Sequence, residues 1–125
     1  MSSRTTLVVD GANVVGARAD GWWKDRAGAA RRLHEELMTA DVPQDVVVLV
    51  LEGAAKGGVA AGRDAHVSTV HARGNGDDAI VEQARRASER GDRVTVVTAD
   101  RILSGRVARY GAQTLGPQWL LDHLG

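Results

Sequence analysis

Val46-Val47-Val48-Leu49-Val50-Leu51 is an unbroken apolar run with no polar residue at alternate positions. A strand of this kind must be covered on both faces, which is the condition of a parallel sheet held between helices. Leu7-Val8-Val9, within a first strand running to Asp10, and Val94 to Val97, within a fourth running to Asp100, have the same character. Shorter stretches at His66 to His71 and Ala112 to Leu115 read as a third and a fifth strand. Helical patterns lie between them. Asp25 caps a helix from Arg26 to Ala40, with Ala30, Leu33, Leu37 and Ala40 as its apolar stripe. A second helix runs from the Asp77-Asp78 pair to Arg90, with Ile80, Ala84 and Ala87 on one face and a stop at Gly91. A short helix carries Leu103, Val107 and Tyr110, and a last one opens at Pro117 and reaches Leu124. The Gly/Ala-rich segment from Ala54 to Arg63 reads as a mobile loop. This alternation predicts an α/β fold: a doubly wound parallel sheet of about five strands with helices on both faces, in one domain over 1–125.

The chain has no cysteine, which excludes a disulfide framework and a thiolate metal site. Lys plus Arg and Asp plus Glu balance at 16 each, so no overall basic field points to nucleic acid. A local basic rim remains compatible with that balance, because exposed charges are screened beyond about 10 Å at 0.1 M salt. Met1 to Leu7 carries no apolar leader and no stretch reaches membrane-spanning length; a cytoplasmic protein without a membrane partner is expected.

In doubly wound sheets ligands bind beyond the carboxyl ends of the strands, where the strand order reverses. Asp10, Glu52 and Asp100 each follow an apolar run, and the first turn of the second helix brings Asp77 or Asp78 to the same edge. Carboxylates gathered in one place repel each other unless a cation neutralises them, and hard divalent ions with oxygen ligands do so. The pattern points to a metal-dependent nuclease site. Asn13 is suited to orienting Asp10, a water or a phosphate, and Thr98 to hydrogen-bonding a carboxylate or the attacking water. Each residue also has a local reading. Asp10 suits turn chemistry, Asp77 and Asp78 an N-cap and a helix dipole, Asp100 a cap, and Glu52 is better read as a solvated strand-end residue. Their convergence on one edge is what those readings leave unexplained. The histidines at 34, 66, 71 and 123 lack metal-ligand spacing, and the glycines of Gly53 to Gly62 fit no phosphate-loop pattern.

Asp10-Gly11-Ala12-Asn13, then Asp77-Asp78-Ala79-Ile80, then Val96-Val97-Thr98-Ala99-Asp100-Arg101 resemble the NYN branch of the PIN-like ribonucleases, in order and spacing, over nearly the whole chain. The resemblance implies a three-layer sheet of order 3-2-1-4-5, Mg²⁺ or Mn²⁺, and hydrolysis of RNA phosphodiesters by a metal-activated water, leaving 5′-phosphate and 3′-hydroxyl ends. It implies catalytic or metal-binding roles for Asp10, Asp78 and Asp100, with Asn13 in support and Asp77 as a further metal ligand. One position departs: some relatives carry an acid a turn after the last aspartate, where this chain has Ser104. That departure leaves a second metal site one carboxylate short.

Trp22-Trp23-Lys24 follows the loop after the first strand and should stand near the active edge. Trp22 suits stacking on an unpaired base, worth roughly 1–3 kcal/mol, or packing as a lid on the first helix. Arg18, Lys24, Lys56, Arg73 and Arg101 form a candidate phosphate rim. The expected substrate is single-stranded RNA. The alternative is an RNA-binding module with a degenerate nuclease site, favoured by Ser104 and the neutral net charge. A phosphoryl-transfer receiver domain fits poorly, since no strand ends in lysine. Trp119-Leu120-Leu121 suits the core, a homodimer contact or a seat in a larger RNA-processing complex.

Overall fold

The structure is a computed structural model that describes residues 4–124. Residues 1–3, part of the stretch read as lacking a leader, and residue 125 lie outside the described residues. The strands are β1 (Thr5–Asp10), β2 (Val46–Leu51), β3 (Gly62–Asp64), β4 (Val67–His71), β5 (Arg93–Val97) and β6 (Gln113–Leu115). The helices are α1 (Gly11–Gly16), α2 (Arg26–Thr39), α3 (Gly76–Glu89), α4 (Arg101–Ala108) and α5 (Pro117–Leu121), with 3₁₀ turns at Trp22–Lys24 and Gly53–Gly58.

The six strands form one sheet in the order β3-β4-β2-β1-β5-β6. All neighbours are parallel except β3, which runs antiparallel to β4. Without β3 the order is the expected one. The extra edge strand lies at the end of the segment read as a mobile loop. It folds back through the two residues Ala65 and His66, with Ala65 in the left-handed region at φ 53°. Tight hairpins usually advertise that geometry with Gly, Asn or Asp, and Asp64-Ala65-His66-Val67 carries no such residue at the turn. The segment's first part, to Gly58, is ordered as a 3₁₀ turn. Gly58 approaches α2 so closely that a Cβ there would meet the Ala27 carbonyl oxygen at 2.0 Å, and Lys56 Nζ donates to the Ala72 carbonyl at 3.0 Å.

Side-chain parity divides the strands between two cores. Leu7, Val9, Val47, Leu49, Leu51 and Val97 join Val14, Leu33, Leu37 and Leu120 on the α1/α2/α5 face. Val8, Val48, Val50, Val94 and Val96 meet Ile80, Ala84, Leu103 and Val107 on the α3/α4 face. The consecutive apolar runs thus serve both faces, as their lack of alternation requires. Truncating a fully buried leucine such as Leu33 to alanine should cost about 2–5 kcal/mol.

Several boundaries moved. β5 ends at Val97, three residues before Asp100, because that acid begins the cap of α4. Tyr110 lies beyond α4 and is exposed, leaving Leu103 and Val107 as its buried residues. In α5, Leu120 is buried while Trp119 and Leu121 pack against the α1/α2 core. Among the described residues no helix is long and apolar enough to cross a membrane.

Candidate functional site

From β1 the chain continues outward through β2 and β4 on one side and through β5 and β6 on the other, so the order reverses between β1 and β5. Asp10 is the last residue of β1, and Thr98 follows β5 directly. Val9 pairs with Val97, so the next residue on each strand meets across this switch point. Thr98 Oγ1 donates to Asp10 Oδ2 at 2.9 Å, and the Asn13 amide donates to Oδ1 at 3.3 Å. The Asp100 amide donates to Thr98 Oγ1 at 3.2 Å, which fixes the hydroxyl between the two acids. Asn13 Oδ1 accepts from the Ala99 amide at 2.8 Å, a bond that ties α1 to the segment after β5. Asn13 Nδ2 stays outside that bond.

Asp10 is the N-cap of α1, a helix hidden in the sequence by glycines at both ends. Gly11 is required there by close approach: a Cβ would meet the Val50 carbonyl oxygen at 2.6 Å. Asp100 caps α4 through Oδ1, which accepts from Ile102 and Leu103 amides at 2.9 and 3.1 Å. The local reading of Asp100 therefore holds, and capping engages one of its two oxygens.

The acidic pair of α3 divides. Its N-cap is Asn75, whose Oδ1 accepts from the Asp78 amide at 3.0 Å. Asp78 is turned outward, largely exposed, and paired with Arg106 of α4 at 2.9 Å. Asp77 is turned toward the edge, where Asp100 and Glu52 act on it. Glu52, read from the sequence as a solvated strand-end residue, reaches the N-terminus of α3 and accepts from the Gly76 amide. A Cβ on Gly76 would stand 3.0 Å from Glu52 Oε2. Neither this bridge nor the Arg106 pair has a signal in the sequence, since both depend on how α3 and α4 meet the sheet.

Electrostatics marks the same group. Burial holds the Asp10 carboxyl above its ordinary range; its hydrogen bonds from Thr98 and Asn13 oppose this, and the charges of Asp77 and Glu52 reinforce it. Asp77 is also raised, first by partial burial and then by Asp100 and Glu52. Among the described residues, no three acidic or histidine side chains stand close enough to form a ready ligand set. The donors are nonetheless all carboxylate and amide oxygens; no cationic side chain acts on Asp10, and Arg106 only partly offsets the acids around Asp77. Oxygen donors of this kind suit hard divalent cations. Ser104 faces away from this use, donating to Thr114 Oγ1 at 3.0 Å.

On the substrate side, Trp22 is half-buried with the Arg26 guanidinium over its ring at 5.1 Å. Trp23 stands edge-on to it, 57% exposed. Lys24, Arg73 and Arg101 are exposed, as a rim requires. Arg18 leaves the rim: its guanidinium is held bidentately by Glu36 at 2.7 and 2.8 Å. Lys56 is likewise engaged, on the Ala72 carbonyl.

The YacP-like NYN domain family matches this chain over residues 7–125. Two solved structures share its fold, both of Rae1 (YacP) from Bacillus subtilis. A tryptophan-to-leucine mutant is 18% identical with a TM-score of 0.74, the match covering 96% of this chain and 74% of that one. The other is also 18% identical with a TM-score of 0.69, covering 99% and 74%. No curated protein matches the sequence.

Proposed function

The chain belongs to the YacP-like NYN domain family, a nuclease-like group, and from that membership we propose that it is a ribonuclease hydrolysing phosphodiester bonds of single-stranded RNA with Mg²⁺ or Mn²⁺. The observation that carries this reading is Asp10: a buried carboxylate at the switch point whose charged neighbours are the acids Asp77 and Glu52. A fold that leaves a buried acid among acids is built for a cation from outside.

Asp10, Asp77 and Asp100 are the residues that would hold the ion, and Asp78 joins them only by leaving Arg106. When bound there, such an ion would stabilise charge on the scissile phosphate and lower the pKa of a water. The protein's own part is positioning. Thr98 and the Asn13 amide fix both oxygens of Asp10. The Asn13 side chain, anchored on Ala99, keeps its Nδ2 hydrogens for a phosphate oxygen. Lys24 and Arg101, exposed beside the edge, bind flanking phosphates, and the RNA is the partner this arrangement suits.

A second reading, an RNA-binding module with a degenerate nuclease site, draws on the Asp78–Arg106 pair and on Ser104. Incubating end-labelled single-stranded RNA with Mg²⁺ or Mn²⁺, with and without chelator, separates the two. The nuclease reading expects cleavage that needs metal and falls at least about 100-fold in Asp10→Asn and in Asp100→Asn, because even residues supporting a metal ligand contribute about 10–100-fold. Cleavage that survives both substitutions contradicts the site. A folded wild type that binds RNA without cutting it supports the binding module.

A further inference from the structure

Beside the acids lies a cleft of about 100 Å³ that the hydrolytic chemistry does not use. Val15 of α1, Leu51 of β2 and Ala55 of the following 3₁₀ turn form its apolar floor; Trp22, Arg26 and Glu52 form its walls. The cleft is far below the roughly 300–1,000 Å³ of a site for a drug-sized ligand, and on the order of one planar ring. A sugar and phosphate cannot share it. Gly11 and Ala12, which follow Asp10 directly, also line it, so the cleft adjoins the acidic edge.

The lining has the composition of a base site. Trp22 is braced by Arg26 over its ring and by Trp23 against its edge, so little ordering cost is left to be met on binding. Arg26 offers N–H donors and a guanidinium plane, and Glu52, which accepts from Gly76 through Oε2, retains Oε1 as an acceptor. Unpaired bases are recognised by this combination of a flat wall, an arginine plane and edge hydrogen bonds. We propose that this cleft is a nucleobase subsite, which seats one unpaired base of the RNA and thereby delivers the adjoining phosphodiester to Asp10. The proposal rests on the ribonuclease reading and names the subsite that reading lacks.

The test needs no cleavage, so its failure is separable from failure of the nuclease assay. Cytidine 5′-monophosphate and ribose 5-phosphate are titrated separately, to millimolar concentration and without metal, into protein with labelled alanine, valine, leucine and isoleucine methyls. The expected result is saturable shifts of the Ala55 and Val15 methyls with the nucleotide and none with the sugar phosphate. Ala55→Leu, which fills the cleft, should abolish the Val15 shift while the Leu33 and Ile80 methyls keep their wild-type positions. Arg26→Ala, at an exposed position, gives a second variant and should weaken the nucleotide shifts at least about fivefold, the lower end of what one stacked base contributes. Equal shifts with the sugar phosphate, no shifts at Ala55 and Val15, or undiminished binding in both variants would overturn the proposal.

Discussion

Asp10 and Asp92 are aspartates with largely covered side chains, placed at opposite ends of the sheet, and each accepts from a threonine hydroxyl. Thr98 reaches Asp10 at 2.9 Å and Thr6 reaches Asp92 at 3.0 Å. Their charged surroundings are opposite. Asp92, with 5% of its side chain exposed, faces Arg90 at 3.1 Å and Arg4 at 3.8 Å. Asp10 faces Asp77 and Glu52. At the amino end the chain neutralises its acid with its own arginines; at the carboxyl end Arg106 is committed to Asp78, and the charges acting on Asp10 are negative. The first arrangement is expected to stabilise the fold and the second to cost it. The difference distinguishes a structural carboxylate from a candidate ligand without reference to any bound group.

Substituting both acids should separate their roles most widely. Asp92→Ala should destabilise by about 1–3 kcal/mol, the cost of leaving buried hydrogen-bonding groups unmatched, seen as a lower urea midpoint. Asp10→Asn should leave the metal-free midpoint unchanged or raise it, since it removes an uncompensated buried charge. Equal losses in the two variants would erase the distinction.

The threonine donors should differ in the same way. Thr98→Val leaves Asp10 Oδ2 without its donor and should lower RNA cleavage by about 10–100-fold, the usual range for residues that orient metal ligands. Thr6→Val should reduce stability by about 1 kcal/mol and leave cleavage per folded molecule as in wild type.

The smallest effect is on pH dependence. Asp10 is raised above 3.8, so between that value and its folded value the native state holds a proton that the unfolded chain has released. Its contribution is therefore full below 3.8 and falls as pH rises through this window. Glu82 acts in the opposite sense: hydrogen bonds from Arg85 and Arg86 bring it from 4.5 to about 2, and its contribution is present above 4.5 and lost on acidification. Urea midpoints from pH 3.5 to 6 should thus rise more steeply with pH in Asp10→Asn than in wild type. Parallel curves would contradict the burial of a charge at Asp10.

Much of this was legible in the sequence because it depends on local pattern. Unbroken apolar runs report burial on both faces, and Asp25, with Oδ1 accepting from the Gly28 amide at 2.8 Å, caps its helix as read. The acids at strand ends follow from the same pattern once the order of strands is known. What stayed hidden depends on how separate elements meet. Glu52 looked solvated because its partner, the Gly76 amide, is 24 residues away. Asp77 and Asp78 are adjacent on one helical turn, and only the position of Arg106 on α4 shows which faces outward. α1 has no clear signal in the sequence, since Gly11 and Gly16 are poor helix formers, although close approach to β2 demands the first of them.

The claim that the unbalanced acids await a cation is tested most directly by Mn²⁺ binding, measured calorimetrically on wild type, Asp10→Asn and Asp92→Asn. Wild type and Asp92→Asn should bind Mn²⁺ with the same affinity, and Asp10→Asn at least about tenfold more weakly. Equal Mn²⁺ affinity in Asp10→Asn and wild type, or no binding by folded wild type, would contradict the account.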